Sequence, residues 1–173
     1  SNERQQLVFF AAQTLKHKLV VDYAQLDVNQ ALGLRSTIWD ILAKNLFPTP
    51  IRTQLCLGLA ALLVQSTDYS MMQTIIQELL RSPDAIMPIN LLSFIPEQLD
   101  NKSIHMSREQ YQIQRKHLID AYTDSVMNIL INRFIASDNR VYIAQCMLSW
   151  IKIGGCSGRI SKDSELLRVL FGF

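Results

Sequence analysis

Glycine and proline are scarce, at 6 and 5 of 173 residues. A collagen, a flexible linker or a turn-dense β-sandwich needs far more of both. Charge is thin too: 18% of the chain is Asp, Glu, Lys or Arg, against 49% hydrophobic. A disordered chain inverts that balance. The net charge of +2 gives no basic stripe of the kind that grips nucleic acid. Long apolar runs are also absent. Each is broken by Gln, Thr, Lys or Ser well before the roughly 18 residues of a membrane span. Ser1-Asn2-Glu3-Arg4 has no n-region or cleavage site, so no signal peptide is expected. The three cysteines are odd in number and share no CxxC spacing, which argues against a disulfide framework and fits an intracellular origin. Cys56 and Cys146 read as small buried hydrophobes, and Cys156 sits among glycines.

What is present is helical periodicity. Arg4 to Val21 carries Leu7, Phe10, Ala11, Leu15 and Leu19 at spacings of three and four, predicting an inward face. Asp22 and Asp27 bracket a turn. A helix from Asn29 to Leu46 would point Leu32, Ile38, Trp39, Leu42 and Leu46 inward. Pro48 and Pro50 mark a helix start, because proline is tolerated only in the first turn. Ile51 to Gln65 is apolar on most sides, as a buried helix is. Asp68 or Ser70 caps Met71 to Arg81, and Ser82-Pro83-Asp84 stops one helix and starts another. Ala85 to Ile95 follows, with Pro96 expected to kink or finish it. Ser107 with Gln110 forms a capping box for a long helix reaching Ile135. Ser137-Asp138 starts Arg140 to Ile153, Gly154 to Gly158 ends it, and Ser164 to Phe171 is a last helix.

Eight helices and no convincing strand give an all-α fold. They pair, with starts near Asn29, Asp68 and Ser107, close to the roughly 40-residue period of HEAT-type repeats. The expectation is an α-α superhelix, a HEAT/armadillo-type solenoid of about four helix pairs. The unpartnered first helix and the apolar Leu170-Phe171-Gly172-Phe173 point to a piece of a longer array.

No catalytic motif survives inspection. Gly155-Cys156-Ser157-Gly158-Arg159 approaches GxSxG, but ends on arginine and follows a helix. His17, His105 and His117 share no metal-ligand spacing, and no phosphate-binding glycine loop exists. Arg108, Arg115, Lys116 and His117 interleave with Tyr111 and glutamines, the pattern of a solvated helix face more than of an RNA site. No enzyme activity, metal, cofactor, direct nucleic acid or membrane contact is expected. The rivals are a HEAT scaffold of another assembly, an enzyme using Cys146 or Cys156, and an RNA-binding helical repeat.

Four segments carry a family resemblance. Phe9-Phe10-Ala11-Ala12-Gln13-Thr14-Leu15-Lys16-His17-Lys18 resembles the end of the N-terminal importin-β-type domain. Ile51 to Leu62 is similar to the helix "TQL-x-x-A-x-A-x-L" of the same family, with Ala61 where relatives often carry Asp. Leu91 to Leu99 resembles the "LL-x-x-L-PEE" ending, with Gln98 in place of the second Glu, and Cys146 to Gly154 resembles "L-x-SW-x-x-x-G". In this order and spacing they look like a karyopherin-β nuclear transport receptor, nearest the transportin-SR branch. The resemblance implies that residues 1–22 end the importin-β-type repeat and that 23–173 are further HEAT repeats, truncated at both ends. It implies binding of Ran in its GTP form on the concave second-helix face. It also implies contacts with FG-nucleoporins, protein cargo (serine/arginine-rich or other nuclear proteins), import rather than export, and shuttling between nucleus and cytoplasm. Four polar-and-small stripes are the candidates for that face: Gln6, Gln13 and Lys16; Gln54, Gly58, Ala61 and Gln65; Asn90, Ser93 and Glu97; Gln145, Ser149 and Lys152. Gly58 and Ala61 could equally allow close helix packing, and Trp150 reads as core.

Overall fold

The computed structural model describes residues 2–82 and 85–154. Seven α-helices lie among them: α1 Asn2–Val21, α2 Val28–Ala43, α3 Thr49–Gln65, α4 Ser70–Arg81, α5 Ile86–Leu99, α6 Arg108–Ala136 and α7 Arg140–Lys152. A 3-10 turn, Tyr23–Gln25, joins α1 to α2. No strand occurs among the described residues. The helix expected from Ser164 to Phe171, and Cys156, lie outside them.

The helices form two layers. In one, α1 packs on α3, α3 on α5 and α5 on α7. In the other, α2, α4 and α6 each lie on the helix that follows them in sequence. This is an all-helical, HEAT-like α-α superhelix. Among the described residues it holds three complete pairs with α1 ahead of them. The middle of the first layer is the most enclosed part. All of α3 from Gly58 to Val64 is buried, as are Leu91, Leu92 and Ile95 of α5.

Helix ends follow local chemistry. Asp27 accepts from Gln30 N–H at 2.9 Å while the Gln30 side chain accepts from Asp27 N–H at 3.0 Å, closing a capping box at α2. Ser107 and Gln110 do the same for α6, as expected. Pro48 caps α3 and Pro50 lies in its first turn. Helix α2 stops at Ala43, short of Leu46. Asn45 takes φ 51°, a left-handed conformation that ends helices, and Leu46 is left 73% exposed rather than inward. Leu7, Phe10 and Ala11 are also exposed, against expectation; α1 buries Ala12, Leu19 and Val20 instead.

Pro96 does not finish α5, which runs through to Leu99. A proline has no N–H, so the carbonyl four residues back, that of Leu92, loses its helical donor. The Trp150 indole Nε1–H donates to that carbonyl at 3.0 Å from α7. Trp150 and Leu92 are both fully buried, so the fit also joins the two helices.

The outer layer buries Ile38, Leu42, Ile75, Leu79, Val126 and Leu130 in the common core and adds polar clasps. Arg35 of α2 pairs with Asp68 at 2.9 Å. The Tyr69 hydroxyl donates to Gln114 of α6 at 2.5 Å, and Gln114 Nε2 donates to the Ser66 carbonyl at 2.9 Å. The His117 ring stacks on Tyr69 with centroids 3.7 Å apart. Arg133 donates to the carbonyls of Leu79 and Ser82.

Candidate partner-binding face

The layer α1–α3–α5–α7 presents one side chain set outward from each helix. Its register is fixed by three contacts. A Cβ on Gly58 would lie 3.2 Å from Leu19 Cδ1 and 3.5 Å from Lys16 Cα, which places α3 against α1. Thr53 of α3, Asn90 of α5 and Tyr142 of α7 line one small cleft of about 50 Å³. Ser93 and Ser149 hydroxyls meet at 3.2 Å between α5 and α7. These contacts bring Gln13, Gln54, Asn90 and Gln145 to nearly the same level on four successive helices.

The candidate residues divide by burial. Gln6, Gln13, Glu97, Gln145 and Lys152 are exposed, while Lys16, Gln54, Gln65 and Asn90 are half-buried. Gly58 and Ala61 are buried, so the α3 stripe is not one open surface. Gly58 lets the α1 and α3 backbones approach, which is its packing role. Gln65 turns inward: its Nε2 donates to the Leu19 and Ala61 carbonyls, both at 2.9 Å, tying α3 to the end of α1. Ser93 and Ser149 are buried as well, and the Ser149 hydroxyl reaches Glu97 Oε1 at 3.2 Å. That seam satisfies its own polar groups. Trp150 is core, as read from the sequence.

An amide row with apolar neighbours remains. Gln54 Oε1 is buried with no hydrogen-bond partner among the described residues. Beside the amides, at three- or four-residue spacing, stand Leu57, Phe94 and Leu148, the last 50% exposed. The sequence stripes passed over these three because they were sought among polar and small residues. The signal available was their i+3 or i+4 spacing from Gln54, Asn90 and Gln145. Such a face can hydrogen-bond and pack against a protein surface. At the opposite end of these helices a groove of about 310 Å³ is lined by Tyr23, Gln65, Tyr69, His105, Met106 and Gln114, among others.

Nucleophile chemistry finds little support here. Burial pushes the Cys56 thiol up to about 12, with Arg52 pulling back more weakly. Burial likewise pushes the Cys146 thiol up, and Glu97 adds to it. A thiol held protonated is a poor nucleophile. Among the described residues no group of three His, Cys, Asp or Glu side chains could hold a metal ion, and no helix is long and apolar enough to cross a membrane.

No protein-family model matches the chain. Over 133 residues it is 31% identical to the mRNA transport regulator MTR10 of Saccharomyces cerevisiae, a match covering 76% of this chain and 13% of that protein. The chain thus spans about an eighth of the length of the curated relative it matches. The similarity supports the karyopherin superfamily, and it does not single out the transportin-SR branch.

Two outcomes follow from this geometry. Gly58→Leu should destabilise the fold by about 1–3 kcal/mol through overpacking against Leu19 and Lys16, read from a urea midpoint. An unchanged midpoint would mean that α1 does not sit on α3 as described. Stability should also fall with rising pH. Both thiols titrate near 9.0 when unfolded and higher when folded, so the unfolded state sheds protons first. Their contribution is complete below pH 9 and declines from there toward about 12 for Cys56. Cys56→Ala should flatten that slope, and an identical slope in the variant would exclude the thiol as its source.

Proposed function

We propose that this chain is a protein-binding segment of a karyopherin-type nuclear transport receptor, working by recognition and not by catalysis. The observation that carries the reading is the row Gln13, Gln54, Asn90 and Gln145 across four successive helices of one layer. The similarity to MTR10, a transport regulator by its name, supports the setting. On this reading the row, with Gln6, Lys16, Glu97 and Lys152 beside it, meets Ran in its GTP form. Gly58, Ala61, Ser93 and Ser149 act behind it by setting how closely the helices pack. FG-nucleoporins and protein cargo are further partners, with import the favoured direction and shuttling through the nuclear pore the consequence.

The mechanism would be a population shift. The α1–α3–α5–α7 layer holds the face, while the outer helices join the same apolar core and add polar clasps such as Arg35–Asp68 and Tyr69–Gln114. A partner that binds one curvature better than another moves the balance by that difference in affinity.

Binding to Ran loaded with a non-hydrolysable GTP analogue, against Ran·GDP, tests the reading. Preference for the GTP form is expected, weakened about tenfold or more by combining Gln54→Ala, Asn90→Ala and Gln145→Ala. Equal or absent binding to both forms would sink the Ran assignment and favour a HEAT scaffold of another assembly.

A further inference from the structure

The cleft between α3, α5 and α7 holds a cation without a counter-ion. Thr49, Arg52, Thr53 and Cys56 of α3, Asn90 of α5 and Tyr142 of α7 line it, with an apolar wall from the first turn of α5. No acidic side chain lines it. Lys18, Arg35 and Arg81 each pair with a carboxylate, and Arg52 does not. The Arg52 guanidinium is nonetheless fixed. It donates to the Asn45 side-chain carbonyl and, at 3.1 Å, to the Thr49 hydroxyl. Both partners are neutral, so the charge stays uncompensated. The third nitrogen, Nε, is buried and has no acceptor among the described residues. A buried donor left unmade is costly, and more so on a charged group. The Asn90 amide and the Tyr142 hydroxyl add donors that also lack a partner among the described residues. The first turns of α3 and α5 carry partial positive charge of the same sign. The Cys56 thiol feels the cation, for Arg52 pulls its pKa down against the larger effect of burial.

Size and charge select the ligand. A cleft of about 50 Å³ is far smaller than the roughly 300–1,000 Å³ that holds a whole small molecule. It admits one small group. A single guanidinium balances one negative charge, whereas a phosphoryl group brings about two and is met by clusters of arginine. An ionised carboxylate carries one charge and only accepts hydrogen bonds, which suits a set of unpaired donors. Asn90 belongs both to this cleft and to the amide row, whose apolar neighbours Leu57, Phe94 and Leu148 a free acid would leave uncovered. A polypeptide carrying the carboxylate would cover them. We propose that this cleft binds the side-chain carboxylate of an Asp or Glu in an acidic segment of a partner protein, with Arg52 supplying the charge and Asn90 and Tyr142 the flanking hydrogen bonds. The inference does not rest on the Ran reading and stands or falls by itself.

Nuclear magnetic resonance of the isotope-labelled chain tests this, with hexaglutamate as the probe and hexaglutamine and inorganic phosphate in separate arms. Hexaglutamate should shift the Arg52 Nε–H and the Thr53, Asn90 and Tyr142 signals to saturation, with a dissociation constant of about 1 mM or tighter. Hexaglutamine should shift none of them. Arg52→Gln should weaken hexaglutamate binding about tenfold or more. Tyr142→Phe leaves the Arg52 hydrogen bonds to Asn45 and Thr49 in place and should weaken it about threefold. Lys102→Gln removes the same charge from an exposed position in the α5–α6 connection and should change it less than about twofold. Absence of saturable binding would overturn the proposal, as would equal binding of hexaglutamine or shifts that spread over the surface and ignore Arg52→Gln. Tighter binding of phosphate than of hexaglutamate at the same residues would overturn the assignment to a carboxylate.

Discussion

The hydrogen bond from the Trp150 indole to the Leu92 carbonyl holds a position that the rest of the architecture needs. Proline inside a helix costs about 3 kcal/mol, in part because a carbonyl one turn earlier loses its donor. A buried carbonyl left alone costs about 1–3 kcal/mol. Here the lost donor is replaced from a neighbouring helix, and the replacement is a side chain large enough to fill the seam it crosses. Helix α5 therefore stays helical through Pro96 to Leu99, and α7 is fixed against it. The Ser93–Ser149 and Ser149–Glu97 hydrogen bonds sit in the same seam and depend on the same register. Without that register Asn90 and Gln145 would not share one face.

The two layers share one apolar core and differ in the polar contacts added to it. The α1–α3–α5–α7 layer is joined by close backbone approach at Gly58, by Gln65 reaching the Leu19 carbonyl and by the Trp150 seam. The α2, α4 and α6 helices bury Ile38, Leu42, Ile75, Leu79, Val126 and Leu130 in the same core, and add polar contacts through Arg35–Asp68, through Tyr69 with Gln114 and His117, and through Arg133. Polar clasps of this kind can exchange for water at small net cost.

Much of this was legible in the sequence, and the reasons are specific. Pro48, Pro50, Ser107 with Gln110 and the 3–4 spacing of apolar residues each act within a few residues, so helix existence and most boundaries could be read. Most of the misreadings required knowing a packed neighbour. Leu46 looked periodic, but the left-handed Asn45 ends α2 first. Leu7 and Phe10 looked inward because apolar stripes usually are, yet the buried side of α1 is set by α3. Pro96 looked like a kink or a stop, and nothing local reveals that Trp150, 54 positions later, supplies the missing donor that lets α5 continue. The stripes mixed surface and seam for the same reason. Gln54 and Gly58 are one turn apart, and only the packing of α1 shows that the first lines a face and the second closes an interface.

A double-mutant cycle on Trp150 and Pro96 tests the central claim, that this indole replaces the donor which the proline removes. Trp150→Phe, Pro96→Ala and the pair would be compared by urea unfolding. With alanine at 96 the backbone N–H can again reach the Leu92 carbonyl, so Trp150→Phe should cost less there than in the parent chain. The account predicts a coupling of about 1 kcal/mol or more. Additive costs, with no coupling beyond error, would contradict it.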